Sequence, residues 1–254
     1  MPPQSSTFPS LGSETMARLL TAETCVPGLL TAVQREEMLR LFQAHYDNAN
    51  AAAFQNDLLE KQHVILLRES TARLVGFSTI GVWTETVEGQ HIQVMFSGDT
   101  IIRPENWGST ALATAWLRLA AQVKRNQLHL PLYWFLIVKG YRTYRHLQVF
   151  ARTYYPHRRE PTPPALQALM DHLARRRFGV DYDPRRGLVH HAEPRDVLRN
   201  DLAQPAPKDY ARPEVQFFFD RNPGHAQGDE LVCLAEIAAD NLTPFARRIF
   251  EVAR

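Results

Sequence analysis

Apolar positions along this chain recur with two different periods, and the alternation between them predicts its elements. The segment 31–47, TAVQREEMLRLFQAHYD, places Val33, Met38, Leu39, Leu41 and Phe42 near one helical face, and NANAAAFQNDLLEKQ (48–62) reads as a second helix. Before them MARLLTAE (16–23) is short and apolar enough for a first strand. Two extended runs follow, HVILLRE (63–69) and LVGFSTIGVWTET (74–86), joined by a loop short enough for an antiparallel hairpin. HIQVMFSGDTIIR (91–103) is a third such run. From Trp107 to about Lys124 the spacing of Leu112, Ala115, Trp116, Leu119 and Ala120 is helical again. LPLYWFLIV (130–138) is continuously apolar and rich in branched and aromatic residues, which predicts a strand buried on both faces. GYRTYRHLQVFARTYY (140–155) predicts a helix ended by Pro156.

Beyond residue 155 the pattern loosens. PHRREPTPPA (156–165) is Pro-rich and reads as a linker or exposed bend, followed by a helix in PALQALMDHLARRRF. Residues 179–212 are polar and carry no periodicity that specifies an element. EVQFFFDRN predicts a short helix, ELVCLAEI (230–237) a last strand and NLTPFARRIFEVA a closing helix. Strand, paired helices, antiparallel strands, helix, buried strand and helix make an α/β layer fold. The expected division is a lead-in at 1–15, a core at 16–155 and a C-terminal α/β extension at 156–254 that packs on the core.

Composition narrows the class without naming a partner. At 44% hydrophobic and 22% charged residues with a net charge of +2, the chain reads as an ordinary globular protein and not as a disordered or nucleic-acid-coating one. The first residues, MPPQSSTFPSLGSE, lack the basic start and apolar core of a secretion signal and read as a disordered lead-in. No run reaches the roughly 18 to 20 apolar residues of a membrane helix. Two cysteines, Cys25 and Cys233, suggest neither a disulfide framework nor a zinc site, and a cytoplasmic setting is expected. In LVHHAEPRD (188–196), His190, His191, Glu193 and Asp196 lack the spacing of metal ligands, so the stretch reads as a loop and no metal is expected.

The chemically distinctive stretch is IIRPENWGSTALATAW (101–116), where an extended run ends in Arg-Pro, turns through one glycine and opens a helix at Ser109 and Thr110. A helix start presents unpaired N–H groups and a positive dipole end, a ready site for an anion such as phosphate. With the order of elements, this stretch resembles the GNAT superfamily of acyl-CoA-dependent N-acyltransferases. The likeness covers residues 16–155, by element order more than by identity: Ile102-Arg103-Pro104 stands where the family's strand ends, and Asn106 to Ala111 where its phosphate turn lies. The resemblance implies a GNAT-like mixed, mostly antiparallel sheet flanked by helices. Ile101, Ile102, Arg103, Asn106, Trp107, Gly108, Ser109 and Thr110 would then bind the donor, with a backbone N–H of about Ile101 or Ile102 on the thioester carbonyl. Trp107 replaces the family's basic residue and a single glycine stands for two, so an acyl carrier protein is as fitting a donor as acyl-CoA.

For catalysis the resemblance implies an acidic base on the strand before the turn, which is Asp99; its other reading is a turn residue of Ser-Gly-Asp. The family's general-acid tyrosine falls on Phe150, leaving Tyr144, Tyr141 and His146 as substitutes, against a packing role for each. Lys139 and Arg142 are read as solvated cations at a strand end, with phosphate contact as the alternative. The implied activity is transfer of an acyl group, of medium or long chain given the aromatic content, from a CoA or carrier-protein thioester to a small-molecule or peptide amine. The rival is a GNAT-fold module that binds a ligand or protein without turnover.

Overall fold

The computed structural model describes residues 19–191 and 195–253; the expected lead-in and Glu193 lie outside them. Helix α1, Ala32–His45, is opened by a capping box in which Thr31 and Gln34 exchange bonds, and α2, Ala51–Leu59, by Asn50 accepting from the Ala53 N–H. These follow β1, Leu20–Cys25, and flank a two-residue β2, Tyr46–Asp47. Strands β3, His63–Glu69, β4, Leu74–Val87, and β5, Gln90–Ile102, are the three extended runs read from the sequence. Helix α3, Ala111–Asn126, β6, Leu132–Val138, and α4, Tyr141–Phe150, come next.

The remaining residues hold α5, Pro164–Phe178, and short strands β7, Tyr182–Asp183, β8, Leu188–Val189, and β9, Val197–Leu198. Two single turns, α6, Asn200–Ala203, and α7, Pro207–Tyr210, lead to α8, Pro213–Arg221. Strand β10, Glu230–Glu236, and α9, Pro244–Ala253, close the described chain. Helix α4 stops at Phe150, short of the expected residue 155, because Tyr155 exchanges backbone hydrogen bonds with Leu234 and so leaves the helix.

One eight-stranded sheet runs in the order β1-β3-β4-β5-β6-β10-β8-β7; every pairing is antiparallel except β5 with β6. Strand β10 lies between β6 and β8, so residues 156–254 supply strands of the same sheet instead of only packing on it. The period of two divides the core by face. Ile65, Leu67, Trp134, Leu136 and Val138 point toward α3, α4, α8 and α9. Val64, Leu66 and Phe77 point toward α1 and α2, and Phe96 and Phe135 toward α5 on that same opposite face. Strand β6 is buried on both faces, as its continuous apolar run predicts.

Candidate functional site

The site begins with one extra residue in β5. Ser78 pairs with Thr100 and Ile80 with Ser97, so Thr79 alone stands opposite Gly98 and Asp99. Such a bulge reverses the alternation of side chains. Ser97 faces the α3 side, where it meets Trp116 and Trp134, whereas Ile101 packs with α1 and α2. Asp99, two residues before Ile101, shares the α1–α2 side. Glycine suits position 98, because a Cβ there would lie 2.6 Å from Thr79 Oγ1 and 2.8 Å from Lys61 Cε and those side chains would have to move. The parallel pairing of β5 with β6 also stops at Ser97 and Leu136, while β5 continues to Ile102 and β6 to Val138. Between these two strands a wedge opens.

Around Asp99 the chain gathers charges from five elements. Asp99 makes no hydrogen bond or ion pair with the described residues. Burial, with the nearby Asp57 and Asp196 carboxylates, pushes its carboxyl up to about 7 against the pull of Lys139 and Lys61. Lys61, buried at the end of α2, is held by Asp57 at 2.5 Å. Lys139, at the end of β6, pairs with Asp196 and, at 3.3 Å, with Glu230 of β10. Burial alone would lower the Lys139 ammonium; Glu230 and Asp196 more than offset it and hold it above its usual range. His191 bridges Asp181 at 2.9 Å and Glu230 at 3.6 Å, and the bond to Glu230 raises its imidazole. Tyr46 lies under the Lys139 ammonium, 5.3 Å from it, and burial together with Asp99 raises its phenol. Strand β9 pairs with β2 beside this cluster and roofs it, with the Arg199 N–H on the His45 carbonyl.

At the other end of the wedge stands the turn before α3. Gly108 has φ +94°, a conformation that favours glycine, and no atom lies within 4 Å of where its Cβ would be. Thr110 caps the helix without a side-chain bond, and Ser109 Oγ accepts from the Ala111 N–H at 3.2 Å. The N–H groups of the next residues head the helix with no intrahelical partner. The half-exposed Trp107 donates its indole N–H to the Ile102 carbonyl at 2.8 Å, and the Arg142 guanidinium lies 4.1 Å above its ring. Arg142 is therefore beside the turn and stacked, not simply solvated.

The expected site residues divide accordingly. The Arg103 N–H bonds to the Val75 carbonyl, so by alternation Ile101 also turns its N–H to β4 and is unavailable to a donor, while Ile102 faces the open edge. Asn106 is buried and reaches back to Glu69 at 3.5 Å, which fastens the turn to β3. Tyr144 is not part of the wedge: its hydroxyl donates to the Pro156 carbonyl at 2.9 Å and its ring packs against Tyr154, Phe217 and Phe218. Tyr141 is buried beneath Arg142 with no partner for its hydroxyl among the described residues. His146 is exposed and stacks on Phe150, whose ring in turn stacks on Trp116.

Lys61, Tyr46, Ser97 and Glu230 escape a reading from sequence, since each looks like one charge on a solvated face or one polar residue in a strand, and His191 and Asp196 read there only as parts of a loop. Lys139 carried a visible signal, a cation directly after a doubly buried strand, which is a place where a charge needs partners. Among the described residues no group of His, Cys, Asp and Glu is arranged to hold a metal, and no helix is long and apolar enough to cross a membrane.

No family model and no curated protein matches the chain. Among solved structures it is similar to a probable N-acyltransferase from Enterococcus faecalis, at 15% identity over 54% of this chain and 33% of that one, TM-score 0.41. A GCN5-related N-acetyltransferase from Kribbella flavida shows 16% identity over 56% of this chain and 36% of that one, TM-score 0.39. A GNAT family N-acetyltransferase from Escherichia coli in complex with CoA shows 13% over 52% and 69%, TM-score 0.36. The matched part spans about a third of the length of each of the first two proteins. Likeness this low carries no argument about this chain. Its own geometry is a mixed, mostly antiparallel sheet flanked by helices, with one parallel pair that parts past a bulge and a helix that opens after it.

Proposed function

We propose that the protein is an acyltransferase that moves an acyl group from a CoA or acyl-carrier-protein thioester to an amine. The observation that carries this reading is Asp99: a carboxylate without a hydrogen-bond or ion-pair partner among the described residues, set by a bulge next to the parting of β5 and β6, where burial pushes its carboxyl up to about 7. A base with that pKa is matched to taking a proton from an ammonium near neutral pH. The thioester is already activated, so positioning and one proton transfer account for most of what is required. The amine nitrogen forms the C–N bond as the carbonyl electron pair moves to oxygen. Asp99 takes the first proton from the ammonium before attack; the pair returns as the C–S bond breaks, and the second nitrogen proton, shed once the C–N bond has formed, passes through water to the leaving thiolate.

The open N–H groups at the start of α3 and the Arg142 guanidinium suit the donor's phosphates, and the Asp99 side, under β2 and β9, suits the acceptor. Trp116 stacks on Phe150 and Trp134 tilts against both, with the two indoles on Ser97, and rings filling the space beside Ser97 favour a small acyl group over the longer chain expected from the aromatic content. The non-catalytic rival is favoured by one feature: Trp107 occupies the place of a basic residue and engages the Ile102 carbonyl.

Calorimetric titration with CoA, acetyl-CoA, a long-chain acyl-CoA and acyl carrier protein decides between them. Saturable binding to a thioester, lost in Gly108→Asp, is the expected result. Binding to none of the four would remove the acyltransferase reading and leave the module.

A further inference from the structure

We infer that the Ser97 hydroxyl donates a hydrogen bond to the thioester carbonyl oxygen, a role that rests on the acyl-transfer reading above. Ser97 is the last residue of β5 paired with β6, at the vertex where the two strands part. Its Oγ accepts two indole N–H groups, from Trp134 at 2.9 Å and from Trp116 at 3.2 Å. An indole nitrogen only donates, and a serine oxygen has two lone pairs and one proton. With both lone pairs engaged, only the proton remains to be satisfied. No acceptor for it exists among the described residues, although Ser97 is only 7% exposed. A buried hydroxyl proton without a partner is costly, so the arrangement is complete only when an acceptor enters the wedge. Two donors on the same oxygen also draw electron density from it and strengthen its O–H as a donor.

The missing group must offer a lone pair to that proton. An ammonium acceptor fails that test and a carbonyl meets it. Of the carbonyls a thioester donor carries, the one at the reacting carbon gains negative charge during transfer, and a donor placed there accelerates the reaction. Ser97 forms no covalent bond and keeps its proton. The carbonyl pair moves onto the oxygen beneath the hydroxyl as C–N forms, and returns as C–S breaks.

The test uses the full chain with acetyl-CoA, or acetyl-loaded acyl carrier protein where calorimetry selects that donor, labelled with 13C at the thioester carbonyl. On binding to the wild type the carbonyl resonance should move downfield. Ser97→Ala should cut that displacement by more than half and Ser97→Thr should restore it. The Ala variant should also lose on the order of 100-fold in kcat, while its affinity for the S-ethyl thioether of the same donor, which lacks the carbonyl, stays at the wild-type value. An unchanged carbonyl displacement in Ser97→Ala overturns the inference and leaves the acyl-transfer reading standing. Equal losses of thioester and thioether affinity also overturn it, since that is the mark of a packing role. Saturable binding of neither donor by the wild type removes both. If Ser97→Ala does not fold, Ser97→Cys, which still offers the indoles an acceptor but donates weakly, is judged by the same outcomes.

Discussion

Asp99 shows how one inserted residue sets the surroundings of a side chain. Without the extra position beside Thr79, residue 99 would share the face of Ser97, away from Lys61, Tyr46 and Lys139. Activity should therefore climb with pH through a midpoint near 7 as Asp99 ionises, and Asp99→Asn should remove that limb with a loss of about 100-fold or more in kcat/KM. Stability follows the opposite slope. The unfolded carboxyl titrates near 4 and the folded one near 7, so between those values the unfolded chain loses its proton first and the fold weakens as pH rises. Asp99→Asn should accordingly raise Tm by about 10 °C at pH 8 and leave it nearly unchanged at pH 4, read by calorimetry. A neighbouring change tests the bulge itself. Gly98→Ala would drive a methyl group into the Thr79 hydroxyl and the Lys61 side chain, and a denaturant titration should show a loss of about 1–3 kcal/mol.

Lys139 belongs to the scale of elements, because its single ammonium joins the end of β6, the residue before β9 and the start of β10. Replacing it by methionine would leave two largely buried carboxylates facing each other. A loss of about 3–5 kcal/mol in chemical denaturation is expected, with part of it regained when Glu230→Gln is added. The sequence shows Lys139 as the residue after a buried strand. It does not show the partners, because Asp196 and Glu230 lie far along the chain and arrive only through the roofing of β2 by β9 and the insertion of β10. The same separation hides Tyr46. Tyr144 shows the converse: its spacing puts it on an inward face of α4, and only the packing of α8 shows that Phe217 and Phe218 fill that face.

At the scale of the whole molecule, the sheet is closed by its last-made strand. Strand β6 is buried on both faces and hydrogen-bonded on both edges, by β5 and by β10. A fragment ending at residue 155 would keep Ser97, Asp99 and Gly108 but leave the β6 edge bare, uncover Phe135 where α5 otherwise packs, and thin the cover of Leu136 by removing α8 and α9. It should show no cooperative thermal transition by near-ultraviolet circular dichroism; a sharp transition like that of the full chain would mean that the first 155 residues fold by themselves.

Local pattern alone determined the strands β3 to β6, the helices that flank them, the turn at Gly108 and the candidacy of Asp99, because period, capping residues and turn chemistry act over a few neighbouring positions. Only the tertiary structure decided that Asp99 faces acids and lysines from distant elements, that Ile101 bonds to β4 while Ile102 is open, that Ser97 holds two indoles, and that the C-terminal third completes the sheet. Those outcomes depend on strand register and on contacts between residues remote in sequence, and a shift of one position reverses each of them.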